Sequence, residues 1–96
     1  MSGIDSAKPV IKEVIATRKK ISITITKENY EGLAVFKSTD GTLFKQTGTI
    51  ETDCYEDQTE NKKPQPETRF YKFCFLKDDK TIGLESKVVK VVAEIY

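Results

Sequence analysis

The chain contains no histidine and no tryptophan, and only two of its 96 residues are cysteine. Without histidine it cannot form a Ser–His–Asp triad, and two thiols without histidine cannot complete an ordinary Cys/His zinc site. The two cysteines also lack the Cys-x-x-Cys spacing of redox and metal motifs. No arrangement of serine, lysine and carboxylate residues matches a catalytic motif. We therefore expect no enzymatic activity, no cofactor and no metal.

Long apolar runs and a charge excess are missing as well. No run approaches the length of a transmembrane helix, and the first residues lack the basic region and apolar core of a signal peptide. The 16 basic and 15 acidic residues leave a net charge of +1, whereas nucleic-acid-binding proteins usually carry a strong basic excess. We expect neither membrane insertion nor a nucleic-acid partner. The length is that of one domain, which we place at residues 9–96, after a tail or cloning-derived linker at residues 1–8.

The densest run of aromatic and apolar residues is Arg69–Leu76. Aromatic residues are enriched in strands because they fit a pleated, half-buried surface. Tyr71, Phe73 and Phe75 are two residues apart, so in a strand they share one face. The pattern predicts a central strand whose aromatic side chains have a structural role in the core.

Alternation and turn signals divide the rest of the chain into further strands. Residues 21–26 alternate between isoleucine and hydroxyl residues, which is typical of a strand with one buried face. Ser38–Gly41 is a turn signal, because aspartate favours tight turns and glycine accepts a positive φ; the polar segment Glu56–Glu67 is predicted to be a long loop. The other strands are predicted at 10–16, 33–36, 43–46, 47–55 and 86–95, with a turn at 77–80. About seven short antiparallel strands without an amphipathic helix indicate an all-β sandwich.

Four stretches, spread over most of the chain, resemble the fibronectin type III domain in its bacterial or linker-module form. Gly32–Gly41 resembles the third strand of that family and its following turn, Thr52–Asp57 the fifth strand, Thr68–Phe75 the sixth, and Gly83–Ser86 the start of the seventh. The resemblance implies a fibronectin type III topology for the sandwich.

Two departures from the family pattern are also compatible with a different family of immunoglobulin-like sandwiches. Thr26 or Lys27 stands where the family usually has a tryptophan at the end of the second strand, and the loop after the fifth strand is longer than usual. By resemblance, Tyr71 is the candidate for the family's tyrosine corner, in which the hydroxyl bonds to the backbone of the preceding loop. Phe70 is the alternative by spacing. The phenylalanines that follow in this strand would then replace the missing tryptophan.

Three other aromatic residues, Tyr30, Phe36 and Phe44, are expected to be partly exposed. Exposed aromatic side chains can stack on sugar rings or anchor a partner protein. The alternative is that these three cover the edge of the sheet. They are the candidate contact residues for a partner or a glycan.

Charged residues occur in short groups that a solvated strand or turn explains. The groups are Glu51 with Asp53, Asp78 with Asp79, Arg18–Lys20, and Lys62 with Lys63. The carboxylates of Asp53, Glu56 and Asp57 are suitable oxygen ligands for calcium, but the spacing of an EF-hand loop is absent. We therefore predict no metal site in these groups.

The two cysteines, Cys54 and Cys74, either form one disulfide or remain two buried or half-buried thiols, and the sequence leaves both possibilities open. In a strand their neighbours Tyr55 and Phe73 take the inward positions. Both cysteines are therefore expected to point away from the apolar side.

The family resemblance implies a non-catalytic module of a larger, extracellular or cell-surface protein, acting as a structural spacer, a linker domain or a protein-interaction domain. Its partners would be neighbouring domains, or another protein or a glycan, and we expect a monomer. The alternative function is that of a carbohydrate-binding accessory module of a glycoside hydrolase or adhesin. In that case the exposed aromatics Tyr30, Phe36 and Phe44 would contact the sugar.

Overall fold

Two antiparallel β-sheets make up the computed structural model, which describes residues 8–96. The eight strands are β1 (Ile11–Ala16), β2 (Ile21–Ile25), β3 (Gly32–Ser38), β4 (Lys45–Ile50), β5 (Cys54–Asp57), β6 (Glu67–Lys77), β7 (Lys80–Ile82) and β8 (Val89–Ala93). One sheet has the order β1-β2-β5, and the other places β4, β3 and β6 side by side, with β7 and β8 along the far edge of β6. The tail predicted at residues 1–8 lies outside the described residues, apart from Lys8. Residues 8–96 contain no helix that could span a membrane.

The core lies between the two sheets and is built from alternate residues of four strands. Ile21, Ile23 and Ile25 of β2 are fully buried, which confirms the predicted alternation. The same cluster contains Leu33 and Val35 of β3, Tyr71, Phe73 and Phe75 of β6, and Val89, Val91 and Ala93 of β8. Burial of a large apolar side chain contributes about 1.5–3 kcal/mol. This cluster therefore holds the two sheets together.

The predicted central strand is confirmed as β6, the longest strand and the middle of the five-stranded sheet. On one side it pairs with all of β3. On the other side its first half pairs with β8 and its second half with β7. Tyr71, Phe73 and Phe75 are completely buried on its inner face. The residues between them point to the outer face of the sheet.

One predicted strand, residues 47–55, is wrong. β4 ends at Ile50, and β5 begins at Cys54 in the other sheet. Bends at residues 51–53 carry the chain from one sheet to the other. Residues 51–53 contain neither glycine nor proline, so the local pattern does not reveal the change of sheet.

The hairpin after β6 adds a strand that the sequence pattern did not predict. Asp78 and Asp79 have φ angles of 54° and 63°, as a two-residue hairpin turn requires. Lys77 and Lys80, which we assigned to the turn, instead pair with each other at the ends of β6 and β7. The described residues therefore form eight strands, where about seven were expected.

The described chain enters the sandwich at one end and leaves it at the other. β1 begins opposite Ile25, at one end of the sandwich, and ends opposite Ile21, at the other end. Asp57, the last residue of β5, pairs with Ile21 and therefore lies at this other end. The last residues of the chain lie there too, because the N–H of Asn61, in the loop after β5, donates to the carbonyl of Ile95 at 2.8 Å. The molecule measures 49 × 24 × 20 Å, so the two ends are separated along an elongated body.

Candidate functional site

The outer faces of the two sheets differ in character. The three-stranded sheet presents Ser22 opposite Glu56, and Thr24 opposite Cys54. The five-stranded sheet carries aromatic side chains instead. We name as the outer aromatic face the group of Phe36, Phe44, Phe70, Lys72 and Glu85 on this side of the sheet. This face carries the half-buried aromatic rings and is the candidate contact site.

Lys72 lies at the centre of the outer aromatic face. Its Nζ is 4.4 Å from the ring centre of Phe44 and 5.8 Å from that of Phe36, both within the range of cation–π contacts. The same nitrogen is 3.1 Å from Oε1 of Glu85. Both rings are half-buried. A ligand that stacked on this face of the Phe44 ring would have to displace the ammonium group.

The loop between β3 and β4 has a fixed conformation next to this face. The hydroxyl of Ser38 donates to Oδ1 of Asp40 at 2.8 Å, and that oxygen accepts the N–H groups of Thr42 and Leu43 at 2.8 and 2.9 Å. These donors, Leu43 foremost, lower the pKa of Asp40 to about 2. The turn predicted at this position is confirmed. Leu43, beside it, is 76% exposed.

A second polar group is buried at one end of the core. Oδ2 of Asp57 accepts hydrogen bonds from the Tyr71 hydroxyl at 2.5 Å and from Arg69 Nη1 at 3.1 Å, and it lies 2.8 Å from Lys37 Nζ. The side chains of Asp57 and Arg69 are 3% and 1% exposed. Glu67 completes the group, because Arg69 Nε donates to it at 2.8 Å. We name these five residues the acid–base cluster.

The acid–base cluster corrects the predicted tyrosine corner. The hydroxyl of Tyr71 donates to the carboxylate of Asp57 and not to the backbone of the preceding loop. The physical reason is that a carboxylate is a stronger acceptor than a peptide carbonyl, and β5 ends with one beside the ring. The position of Tyr71 was predicted, but its partner was not.

Both partners of the hydrogen bond between Tyr71 and Asp57 have shifted pKa values. Burial by itself would raise the pKa of Asp57, but hydrogen bonds from Lys37, Tyr71 and Thr59 hold it well below its usual range. Burial, followed by the hydrogen bond to Asp57, raises the pKa of Tyr71. A general acid or base works best with a pKa near the operating pH. The shifts instead keep Asp57 charged and Tyr71 protonated, which suits a structural anchor.

Arg69 also organises the long loop between β5 and β6. Its Nη2 donates to the carbonyl of Thr59 at 2.7 Å and to Oδ1 of Asn61 at 3.0 Å. Asn61 in turn donates to the carbonyl of Ala93 at 2.7 Å. Sequence reasoning missed this role. The available signal was that Arg69 precedes Tyr71 by two residues and therefore shares its inward face.

The three aromatic contact candidates lie in different surroundings. Tyr30 stacks on Phe75 with ring centres 4.1 Å apart and an angle of 14° between the planes, and it packs against the core. Phe36 and Phe44 lie together around Lys72. The structure thus brings two of the candidates together and places the third at the edge of the core.

The remaining charged groups are placed at the surface. Glu51, Asp53, Asp78 and Asp79 are exposed, as are Arg18, Lys19, Lys62 and Lys63, and Lys20 pairs with Glu56 at 2.6 Å. Of the three candidate calcium ligands, Asp57 is buried in the acid–base cluster, whereas Asp53 and Glu56 are exposed. Within residues 8–96, no three carboxylate or thiol side chains are placed to share a metal ion.

The two cysteines are free thiols. Cys54 is half-buried and lies opposite Thr24 in the three-stranded sheet, whereas Cys74 is buried in the five-stranded sheet opposite Ala34. Their neighbours Tyr55 and Phe73 pack against each other in the core. The thiols therefore point to opposite sides of the sandwich, an arrangement that a disulfide cannot bridge.

The fold and the site together define an antiparallel β-sandwich with one aromatic outer face. No protein-family model matches the chain, and no curated protein matches it. Among solved structures, it is similar to a β-1,2-glucanase from Parabacteroides distasonis, with a TM-score of 0.75 and 18% sequence identity. The match covers 96% of this chain and 13% of that chain. The likeness is one of fold, and this chain spans only a small part of the glucanase's length.

Proposed function

We propose that this chain is a non-catalytic accessory module of a larger extracellular or cell-surface protein, in which it acts as a spacer and protein-contact domain. The observation that carries the proposal is the coverage of the structural match, 96% of this chain against 13% of the glucanase chain. A fold of this kind therefore accounts for a small part of one glycoside hydrolase. Neighbouring domains are the partners that such a position provides.

A fibronectin type III-like topology is part of the proposal. In immunoglobulin-like sandwiches, the first, second and fifth strands share one sheet, and the third, sixth and seventh share the other. The grouping of β1, β2 and β5 agrees with this rule, as does that of β3 and β6. β7 and β8 together then correspond to a seventh strand in two pieces, both paired with β6.

The path of the chain supports a spacer role. Its described ends lie at opposite ends of a body 49 Å long, so domains attached there would be held apart. The loop nearest the second end is fixed by Arg69, which bonds to Thr59 and Asn61. A spacer transmits orientation only if such loops are rigid, and these hydrogen bonds provide that rigidity.

Single-molecule energy transfer tests the spacer function. Two fluorescent proteins are fused to the ends of the full chain, and the control carries a Gly/Ser linker of equal length. We expect one narrow distance distribution for the chain and a broad one for the flexible linker. A distribution as broad as that of the linker would refute the spacer role. Sugar release from β-1,2-glucan by the purified chain would refute the non-catalytic assignment.

A second candidate, a carbohydrate-binding accessory module, is favoured by the pair of rings formed by Phe36 and Phe44 on the outer face and by a structural neighbour that is a glucanase. Aromatic rings bind sugars by stacking. Lys72 lies over one face of the Phe44 ring, so a sugar that stacks on that face requires the lysine to move aside.

Affinity electrophoresis in gels containing β-1,2-glucan tests this candidate. Retardation of the wild type that is lost in Phe36→Ala and Phe44→Ala would support it, and Lys72→Ala should then increase the retardation by uncovering the ring. Equal mobility of all four proteins with and without the glucan would exclude β-1,2-glucan as the ligand.

A further inference from the structure

A groove runs between the two sheets on the side where β4 and β5 are the edge strands. β4 pairs only with β3 among the described residues, and β5 pairs only with β2. Val35, Ile50 and Tyr55 supply apolar surface to the groove, and Thr47 and Thr59 supply hydroxyl groups. The groove is therefore apolar at its base and polar at its rim.

Gly48 leaves one wall of this groove open. It lies in β4 opposite Val35, whose side chain is in the core, so a side chain at position 48 would point inward. A Cβ placed there would meet no atom within 4 Å. Glycine weakens a strand interior and often marks a place where another backbone or a ligand approaches closely. The missing side chain leaves room for a group from outside the chain.

The backbone of β4 can accept an additional strand. Within residues 8–96, its backbone bonds go to β3, so the N–H and C=O groups of its other edge face the groove side without a strand partner. All residues from Lys45 to Thr49 are exposed. Extended peptides bind to such edges by completing the sheet, and side-chain pockets give specificity.

The far end of the groove is basic. Lys45 and Lys62 line it beyond Thr47, together with Lys37, whose ammonium group is already paired with the carboxylate of Asp57. The acidic residue there is Asp40, whose carboxylate is occupied by the N–H groups of its own loop. A ligand that follows the groove therefore meets apolar surface first and positive charge next.

We propose that this groove binds an extended, acidic segment of a partner protein, which adds to β4 as a strand and places one apolar side chain beside Gly48. Charge complementarity selects the partner, because carboxylates toward one end of the segment would face Lys45 and Lys62. A second copy of β4 is a poor occupant, because its Lys45 would bring a like charge to the basic end of the groove.

Peptide selection tests the proposal on the full chain. A phage-displayed library of random peptides of about twelve residues, longer than a typical strand, is selected on the wild-type protein, and the enriched peptides are synthesised. We expect acidic sequences with alternating β-branched residues. In ¹⁵N–¹H spectra, their binding should shift the amides of β4 and β5 and not those around Lys72.

Gly48→Val is the diagnostic variant, because it fills the open wall where a Cβ has space and should leave the fold intact. We expect it to weaken peptide binding at least about tenfold, or 1.4 kcal/mol. The control Gln46→Val lies in the same strand on the opposite face, beside Phe36, and should bind as the wild type does. A second variant, Lys45→Glu with Lys62→Glu, alters exposed side chains only and should also abolish selection of acidic peptides.

Four results would overturn the proposal. They are the absence of any enriched peptide, spectral shifts confined to the outer aromatic face, unchanged affinity in both Gly48→Val and the double lysine variant, and a stable dimer of the chain whose interface includes β4. The dimer would show that a second copy is the occupant. Urea denaturation of each variant verifies that it is folded, so that a loss of binding cannot come from unfolding.

Discussion

The substitution Asp57→Asn tests how much the acid–base cluster contributes to stability. The carboxylate of Asp57 contacts Lys37, Arg69 and Tyr71 through one oxygen atom. The amide that replaces it has no charge to balance the guanidinium of Arg69, which is 1% exposed. Glu67 still binds that guanidinium, but it is one carboxylate for two buried or partly buried cations.

The magnitude follows from the burial of the pair. Removing one partner of a buried ion pair costs about 3–5 kcal/mol, because the other charge stays in the protein without compensation. Natural domains of this length have free energies of unfolding of about 5–14 kcal/mol. We therefore expect Asp57→Asn to remove about a fifth or more of the total stability, and the loop after β5 to lose its anchor at the same time.

Urea denaturation followed by far-UV circular dichroism measures this loss, since the chain has no tryptophan to report by fluorescence. With a slope of about 1–2 kcal/mol per M, the midpoint should fall by at least about 1.5 M. The matched control is Glu56→Gln, which removes an exposed ion pair with Lys20 next to the same strand end. Exposed pairs contribute little, so its midpoint should stay close to that of the wild type.

The pH dependence has a defined sign. The pKa of Asp57 is lower in the folded protein than in the unfolded chain, so its contribution is fully present above the unfolded pKa of about 4 and is lost as the pH falls below that value. The gap between wild type and Asp57→Asn should therefore narrow from about pH 5 to about pH 2. A pH-independent gap, or a loss equal to that of Glu56→Gln, would refute a stabilising role for the cluster.

Two further substitutions and one thiol titration have expected outcomes. Phe75→Ala empties a completely buried position and should cost about 3–5 kcal/mol in urea unfolding. Gly41→Ala places a Cβ 3.2 Å from the ring of Phe70 at a φ of 80°, and should cost about 1–2 kcal/mol by the same measurement. Two thiols should titrate in the unreduced native protein, with Cys54 faster than Cys74, since burial raises the pKa of Cys74 and the thiolate is the reactive form.

Controls for these outcomes come from the same chain. Phe36→Ala removes a half-buried ring of the outer face and should cost clearly less than Phe75→Ala; equal losses would contradict the division into core and surface aromatics. Gly48→Ala meets no neighbour and should not destabilise, so a loss equal to that of Gly41→Ala would contradict the account of the turn. Thiols that react only after reduction would show that Cys54 and Cys74 are joined.

Sequence patterns predict those parts of the fold that depend on neighbouring residues. The alternation at Ile21–Ile25 and the aromatic repeat of β6 have the period of two that a strand with one buried face requires, and both strands are confirmed. The turn at Ser38–Gly41 follows from local hydrogen bonds. The change of sheet at residues 51–53 has no such local signature, because these residues include neither glycine nor proline.

The candidate sites depend on contacts between residues that are distant in the chain. Phe36 and Phe44 were selected from sequence as exposed aromatics, but the lysine between them, Lys72, comes from another strand. Asp57 and Arg69 come from different sheets, and no spacing rule joins them. Such partners are determined by register and packing, which a single sequence does not specify.

The amino-acid sequence alone therefore determined that this protein is an all-β domain without the histidine that a Ser–His–Asp triad or an ordinary Cys/His zinc site needs. The alternation of Tyr71, Phe73 and Phe75 was enough to predict that they share the buried face of β6, because successive residues of a strand point to opposite faces of the sheet. Tertiary structure decided the rest. It joined Asp57 to Arg69 and Tyr71, placed Lys72 over Phe44, and left the edge of β4 open beside Gly48, because each of these depends on which strands become neighbours in space.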